Sequence, residues 1–320
     1  MNNCIEMLPR ILEHYDLHVV SHEHLRTSEN AVIKLLSDDG RACALRIRKI
    51  IGTYQEQIMS ELIVLRDFSE STGADIPAPL ATRSGELFCI VNDDGNDFMC
   101  IIFSWVGGVH LGGHEITPLH MTSMARAVAQ LHRFSSSYHP PEKLFRPVYD
   151  DAWFFGDKSW TASREFVSRL DPDDAAYLCA ANDSIRERLR QYPNNAETFG
   201  LIHYDLHVGN FLFNGDKANM IDFDECGFGW YLFDLAHILF EFIGDQRFDS
   251  FKKVAAENYG AGRVCPAYSD SDLNLFLALQ GIAYMNWLHR IFWRDGNTDA
   301  QKYWVPVIVG RLKSLWKDRG

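Results

Sequence analysis

The chain has 320 residues, 47% of them apolar, and a formal net charge of −12 from 31 basic and 43 acidic side chains. That length buries one large or two modest cores, and the acidic balance excludes a broad phosphate-contacting face, so no nucleic acid partner is expected. The seven cysteines are scattered and form no Cys-x-x-Cys pair, and the start MNNCIEMLPR lacks a charged segment followed by an apolar run. A reduced, cytoplasmic protein is expected from both features. The longest apolar runs have strand length, so no membrane span is expected.

In chain order, AVIKLL (31–36) and ACALRIRKI (42–50) flank the turn SDDGR, which predicts a hairpin. Cys43, Leu45 and Ile47 alternate with Ala44, Arg46 and Arg48, which puts the apolar set on one face and the arginines on the other. Tyr54, Ile58, Leu62, Leu65 and Phe68 recur at three- and four-residue spacing, predicting a helix over 54–68. After the prolines of IPAPL, LFCIV (87–91) and FMCIIFS (98–104) form a second hairpin around NDDGND. Strand pair, helix and strand pair together predict a small antiparallel sheet with one helix on it.

The remainder reads as mainly helical. Thr117-Pro118 and Asp171-Pro172 each pair an N-cap with a first-turn proline. Helical stripes follow over 233–242, 251–259, 273–293 and 305–316. Strand character ends at Trp105-Val106-Gly107-Gly108. The expected division is therefore a β-rich small lobe over 1–104 and a mainly helical large lobe over 105–320.

Chemistry concentrates in IHYDLHVGN (202–210) and IDFDE (221–225). One reading is a metal hydrolase, with His203, Asp205 and His207 on one side of an extended segment. Zinc takes three or four such ligands, and only the weak pair His110 and His114 stands elsewhere. The other reading is phosphoryl transfer, which needs a carboxylate near the acceptor hydroxyl and metal on the phosphates. Asp-x-x-x-x-Asn spacing lets Asp205 orient a hydroxyl while Asn210 reaches a metal. FLFNGDKANMIDF (211–223) reads as strand, Asn-Gly turn, strand, with Asp222 at its far end. Magnesium accepts such hard oxygen ligands.

IHYDLHVGNFLF, MIDFDECGFG and FDLA together resemble the aminoglycoside phosphotransferase and choline-kinase-like family, nearest to its homoserine-kinase and stress-response-kinase-like members. The resemblance implies an α+β, bilobal, protein-kinase-like fold: a small antiparallel β lobe with one helix and a larger, mainly helical lobe. It implies ATP and Mg²⁺ as cofactors and a small-molecule hydroxyl acceptor, such as an amino alcohol, amino acid, sugar or aminoglycoside. Asp205 is then the catalytic base, Asn210 and Asp222 are Mg²⁺ ligands, and Asp224 assists the metal or the substrate. His203 braces the loop, as does His207 unless it meets substrate, and Asp234 supports the loop or serves as a helix N-terminal carboxylate. A Ser/Thr protein kinase and a non-catalytic nucleotide-binding module are the alternatives; no Ala-Pro-Glu segment follows IDFDECGFG.

On the nucleotide side, Arg46 stands where the family often has lysine or arginine, with Glu61 as its helix partner and Arg48 as a rival on the same face. No glycine loop is present; LRTSENAVI offers Ser28 and Asn30 to phosphate instead. The Ser104 carbonyl and Val106 N–H are expected at the purine edge, with Phe103 behind. Tyr204 departs from the glycine common in relatives. For the acceptor, Tyr284, Trp287, His289, Arg290, Trp293 and Arg294 fall in one segment, where an amine could be held near Asp150, Asp151 and Glu225, or a carboxylate by arginine.

Overall fold

A computed structural model describes residues 4–27, 30–50, 54–141, 143–261, 268–296 and 299–316. Ser28 and Cys265 lie outside the described residues. The chain separates into two compact units: 1–109 with 139–146 and 219–224, and 110–138 with 147–218 and 225–320.

The first unit holds α1 (Leu8–Leu12), β1 (Val19–Thr27), β2 (Ala31–Ser37), β3 (Ala42–Lys49), α2 (Tyr54–Thr72), β4 (Cys89–Asp93) and β5 (Asn96–Ser104). The strands form one antiparallel sheet in the order β1-β2-β3-β5-β4. The alternation expected in β3 holds: Cys43, Leu45 and Ile47 are buried in a cluster with Ile11 and Tyr15 from the N-terminal segment. The opposite face of β3 carries Arg46, which reaches Glu61 of α2. Two elements escape the sequence pattern. Helix α1 is a single short turn, and β1 (VVSHEHLRT) is an edge strand whose residues 20–26 are all exposed, so it has no apolar period to read.

The second unit holds α3 (Pro118–Ser137), β6 (Val148–Tyr149), α4 (Asp151–Phe155), α5 (Arg164–Val167), α6 (Pro172–Gln191), β7 (Phe199–Ile202), β8 (Phe211–Asn214), the start of β9 (Lys217–Met220), β10 (Gly227–Trp230), α7 (Tyr231–Phe240), α8 (Phe248–Gly260), α9 (Asp270–Asp295) and α10 (Asp299–Leu315). Both expected caps are made: Thr117 Oγ1 accepts from His120 N at 3.3 Å, and Asp171 Oδ1 accepts from Asp173 N at 3.0 Å. β8 and β9 form a two-stranded ribbon, with Gly215 at φ +58° in the turn. That positive φ is the reason for the Asn-Gly signal.

Among helices, β6, β10 and β7 form a three-stranded sheet that the sequence reading did not anticipate. Each strand has four residues or fewer, too short to display a period. This sheet matters because β7 runs directly into the motif at 203. Its Leu201 N donates to Ser135 Oγ at 2.6 Å, and the Ser135 and Tyr231 hydroxyls share a hydrogen bond at 3.1 Å. Gly200 leaves room for that knot, since a Cβ there would lie 2.2 Å from the Tyr231 hydroxyl and 2.6 Å from Ser135 Oγ. Gly200→Ala is therefore expected to cost about 1–3 kcal/mol by overpacking, read as a lower urea midpoint with unchanged slope.

Candidate active site

The segment after β7 turns sharply because one carboxylate holds it. Asp234, on the first turn of α7, is fully buried and accepts from the backbone N–H groups of His203 and Tyr204, each at 2.8 Å. His132 Nε2 donates to the same carboxylate at 3.1 Å, and the Tyr259 hydroxyl meets His132 Nδ1 at 2.8 Å. Burial alone pushes the Asp234 carboxyl up; the hydrogen bond and charge of His132, with the His203 contacts, outweigh it and leave the group below its ordinary value.

Tyr204 sits at φ +73°, the left-handed region, which costs a non-glycine residue on the order of 1–3 kcal/mol. Its surroundings offset that cost. The ring stacks on Tyr149 at 3.6 Å and on Phe233 at 5.2 Å between centroids, and the hydroxyl accepts from Trp153 Nε1 at 3.1 Å. Burial raises the phenol to about 12, so it stays neutral. The bulky residue therefore fits with its ring packed inside the second unit, and its backbone is pinned at N–H by Asp234 and at C=O by His237 Nδ1 at 2.8 Å.

This turn presents Asp205 with its side chain 42% exposed. Asn210 Nδ2 donates to the Asp205 carbonyl at 2.7 Å and to its Oδ2 at 3.1 Å. With Nδ2 committed, the amide's oxygen is left as the atom for a cation. Val208 N donates to Glu241 Oε1 at 3.0 Å, tying the loop to the end of α7. His207 Nε2 lies 3.8 Å from Asp205 Oδ2 and His237 Nε2 lies 3.9 Å from Oδ1. His203 is fully buried, so the two motif histidines do not act alike. Among the described residues no group of three His, Cys, Asp or Glu side chains is disposed to hold a metal, so the three-ligand hydrolase reading finds no cluster.

A cavity of about 190 Å³ opens over Asp205. Tyr204, Asp205 and His207 line it from the loop, His237 from α7, and Gln280, Tyr284, Trp287 and Arg290 from α9. His289, Trp293 and Arg294 do not line it: Trp293 Nε1 donates to the largely buried His289 instead. The acids expected to hold an amine are engaged elsewhere. Asp150 caps α4, Asp151 takes a two-bond fork from Arg186 at 2.8 and 3.0 Å, and Glu225 Oε2 accepts from the Tyr149 hydroxyl at 3.4 Å. Sequence reasoning missed His237 and Gln280. His237 stands three residues after Asp234 in FDLAHIL, one helical turn on and hence on the same face.

In the first unit, Arg46 and Glu61 pair through two hydrogen bonds of 2.8 and 3.1 Å, with side chains 13% and 4% exposed. Burial alone would lower the Arg46 guanidinium; Glu61, then Asp224 and Asp222, more than compensate and hold it above its ordinary value. Arg46 also lies over the Phe103 ring at 4.9 Å. Asp222, at φ +66°, and Asp224 are exposed on either side of buried Phe223, whose ring packs near Phe68 of α2 at 6.5 Å. Arg146 donates to the Asp224 carbonyl and, at 3.1 Å, to Gln57 O. Ser104 Oγ accepts from Ala78 N at 3.0 Å and donates to Ile76 O at 3.1 Å, and Val106 is buried. Asn30, an expected phosphate contact, is 7% exposed, with its Oδ1 inside the fold. Asn210 belongs to the second unit and Asp222 and Asp224 to the first.

The sequence profile of the phosphotransferase enzyme family matches residues 24–269. Amicoumacin kinase of Bacillus subtilis (strain 168) is 24% identical over 221 residues, covering 68% of this chain and 62% of that kinase. The chain thus spans about six tenths of the length of that curated relative. Among solved structures, the microcompartment-associated aminopropanol kinase superposes with a TM-score of 0.77 at 24% identity, over 96% of this chain and 95% of the other. The amicoumacin kinase hAmiN in complex with AMP-PNP, Ca²⁺ and Ami gives 0.75 at 16% identity, over 98% and 93%. These likenesses establish a shared kinase-like fold of mixed α and β structure.

The Asp234 clamp has a measurable consequence. Asp234→Ala leaves two backbone N–H groups and His132 Nε2 without their acceptor, and should cost about 3–5 kcal/mol of stability in urea unfolding. Because the folded carboxyl is depressed, its contribution is fully present above the unfolded value of about 3.9 and is lost as pH falls through the folded value. The stability gap between wild type and variant should therefore narrow only below about pH 4.

Proposed function

The chain belongs to the phosphotransferase enzyme family, and on that footing we propose that it is an ATP-dependent kinase that phosphorylates a hydroxyl group of a small molecule. The observation that carries the reading is Asp205: a half-exposed carboxylate, fixed by Asn210, at the floor of a cavity of about 190 Å³. In this reading the acceptor hydroxyl donates its proton to Asp205 as its oxygen attacks the γ-phosphorus. The bond from that phosphorus to the β–γ bridging oxygen breaks, and ADP leaves. His203 contributes through its backbone to the clamped turn, and His207 flanks the carboxylate from the loop.

Arg46, aligned by Glu61, is assigned to the nucleotide phosphates, where a guanidinium grips two oxygens at once. The Ser104 carbonyl and Val106 N–H are assigned to the purine, and Ser28 to a phosphate oxygen. The residue types assigned to the metal suit magnesium: the carboxylates of Asp222 and Asp224 and the amide oxygen of Asn210 are hard oxygen donors, with no thiolate or imidazole among them. When bound, Mg²⁺ neutralises charge on the phosphates. Among the described residues six cysteines stand outside any disulfide, and no helix is long and apolar enough to cross a membrane; we assign the enzyme to the cytoplasm.

Asp205→Asn should lower kcat by at least about 100-fold, the low end for a lost general base, while ATP-induced thermal stabilisation persists. Retention of most turnover would remove Asp205 from the role. Asp222→Ala should abolish the Mg²⁺ dependence of nucleotide binding in a calorimetric titration. An unchanged metal dependence would show that Asp222 is no ligand.

A further inference from the structure

The cavity over Asp205 holds two hydrogen-bond acceptors that the protein itself does not use. His237 Nδ1 donates to the Tyr204 carbonyl, which fixes the neutral ring's tautomer and leaves a lone pair on Nε2. That atom has no hydrogen-bond partner among the described residues, and neither has Gln280 Oε1. His237 is 4% and Gln280 2% exposed, and both side chains line the cavity. Buried acceptors are nearly always satisfied in native proteins, and an exception calls for a specific explanation. Protonation does not supply one for His237, because burial holds its pKa below the ordinary value against the pull of Asp205. The groups facing it are Asp205 and His207 from the loop, Glu241 from the end of α7 and the Tyr284 ring from α9.

The rest of the wall bears on what could donate. Asp205 is the cavity's sole acidic side chain among the described lining residues, and Arg290 is a cation on the same wall. A polycationic acceptor would find no second carboxylate there. We propose that His237 and Gln280 are specificity-determining residues, which accept hydrogen bonds from an N–H or O–H group borne by the acceptor close to the hydroxyl that is phosphorylated. The substrate class is then a compact, donor-bearing alcohol, an amino alcohol or a diol, selected by hydrogen bonds to neutral groups and not by charge. This rests on the kinase reading of the same site. A site built to receive a substrate's polar hydrogen discriminates strongly against an analogue lacking it, because its own buried atoms are then left unpaired.

The test is ADP release by the full chain with two matched pairs: 3-amino-1-propanol against its N,N,N-trimethyl derivative, and 1,3-propanediol against its monomethyl ether. Within each pair the hydroxyl and chain are kept and the second donor is removed. The donor-bearing member should have the higher kcat/KM by about 100-fold. Gln280→Met, which keeps size and removes the acceptor, should shrink that ratio about tenfold by slowing the donor-bearing member alone. Should that variant fail to fold, Gln280→Glu keeps the acceptor and must preserve the preference. A ratio near one in wild type, an unchanged ratio in Gln280→Met, or a higher kcat/KM for a polycationic aminoglycoside would each overturn the proposal and leave the kinase reading standing. Absence of phosphoryl transfer to every one of these compounds would overturn both.

Discussion

One buried carboxylate organises the second unit. Asp234 carries a negative charge into a site with no exposure, and it is tolerable there because three donors converge on it: two successive backbone N–H groups and the His132 ring. Those two N–H groups belong to the residues immediately before Asp205. The interaction that satisfies the charge is therefore the one that bends the chain, and the bend lifts Asp205 out of the core. Tyr204 pays for its left-handed backbone with its ring, through stacking on Tyr149 and Phe233. A glycine would adopt the same φ without strain but would add no ring to the stack.

The charges of the first unit follow a different logic. Arg46 and Glu61 are buried together, and each is worth keeping only because the other is there. Asp222 and Asp224 add to the field that keeps the guanidinium charged, yet their own side chains remain exposed. The cation is thus prepared by structure and the carboxylates stay open to solvent. That division suits the roles proposed for them, a fixed cation for phosphate and exposed oxygens for a hydrated metal.

Much of this was legible because the residues involved carry strong local signals. β3 alternates cleanly since one face is core and the other holds Arg46, and the Asn-Gly turn at 214–215 announces a φ that glycine favours. Asp205, Asn210 and Asp222 stood out by spacing and resemblance. What stayed hidden lacks a period or depends on distant partners. β1 has exposed residues on both faces, and β6, β7 and β10 are too short to alternate. Asp150 and Asp151 looked available for an amine until their partners, the Trp153 N–H and Arg186, were seen, the latter 35 residues away from Asp151. His237 and Gln280 read as helix interior, since nothing in a run such as FDLAHIL says which ring atom has been left without a partner.

That last gap bears on how an acceptor is chosen. Exposed carboxylates attract amines from a distance but hold them loosely, since water competes and salt screens. A neutral acceptor away from water attracts nothing at range, but it penalises every molecule that enters without a hydrogen to give. The wall above Asp205 has the second character. Asp205 is the one acid among its described lining residues, and the unpaired atoms beside it are an imidazole nitrogen and an amide oxygen. On the proposed reading, selection there falls on the hydrogen-bonding pattern next to the acceptor hydroxyl, in a space of about 190 Å³. On that reading, substitutions on α7 and α9 would change which acceptor is taken and leave the clamped loop that presents Asp205 intact.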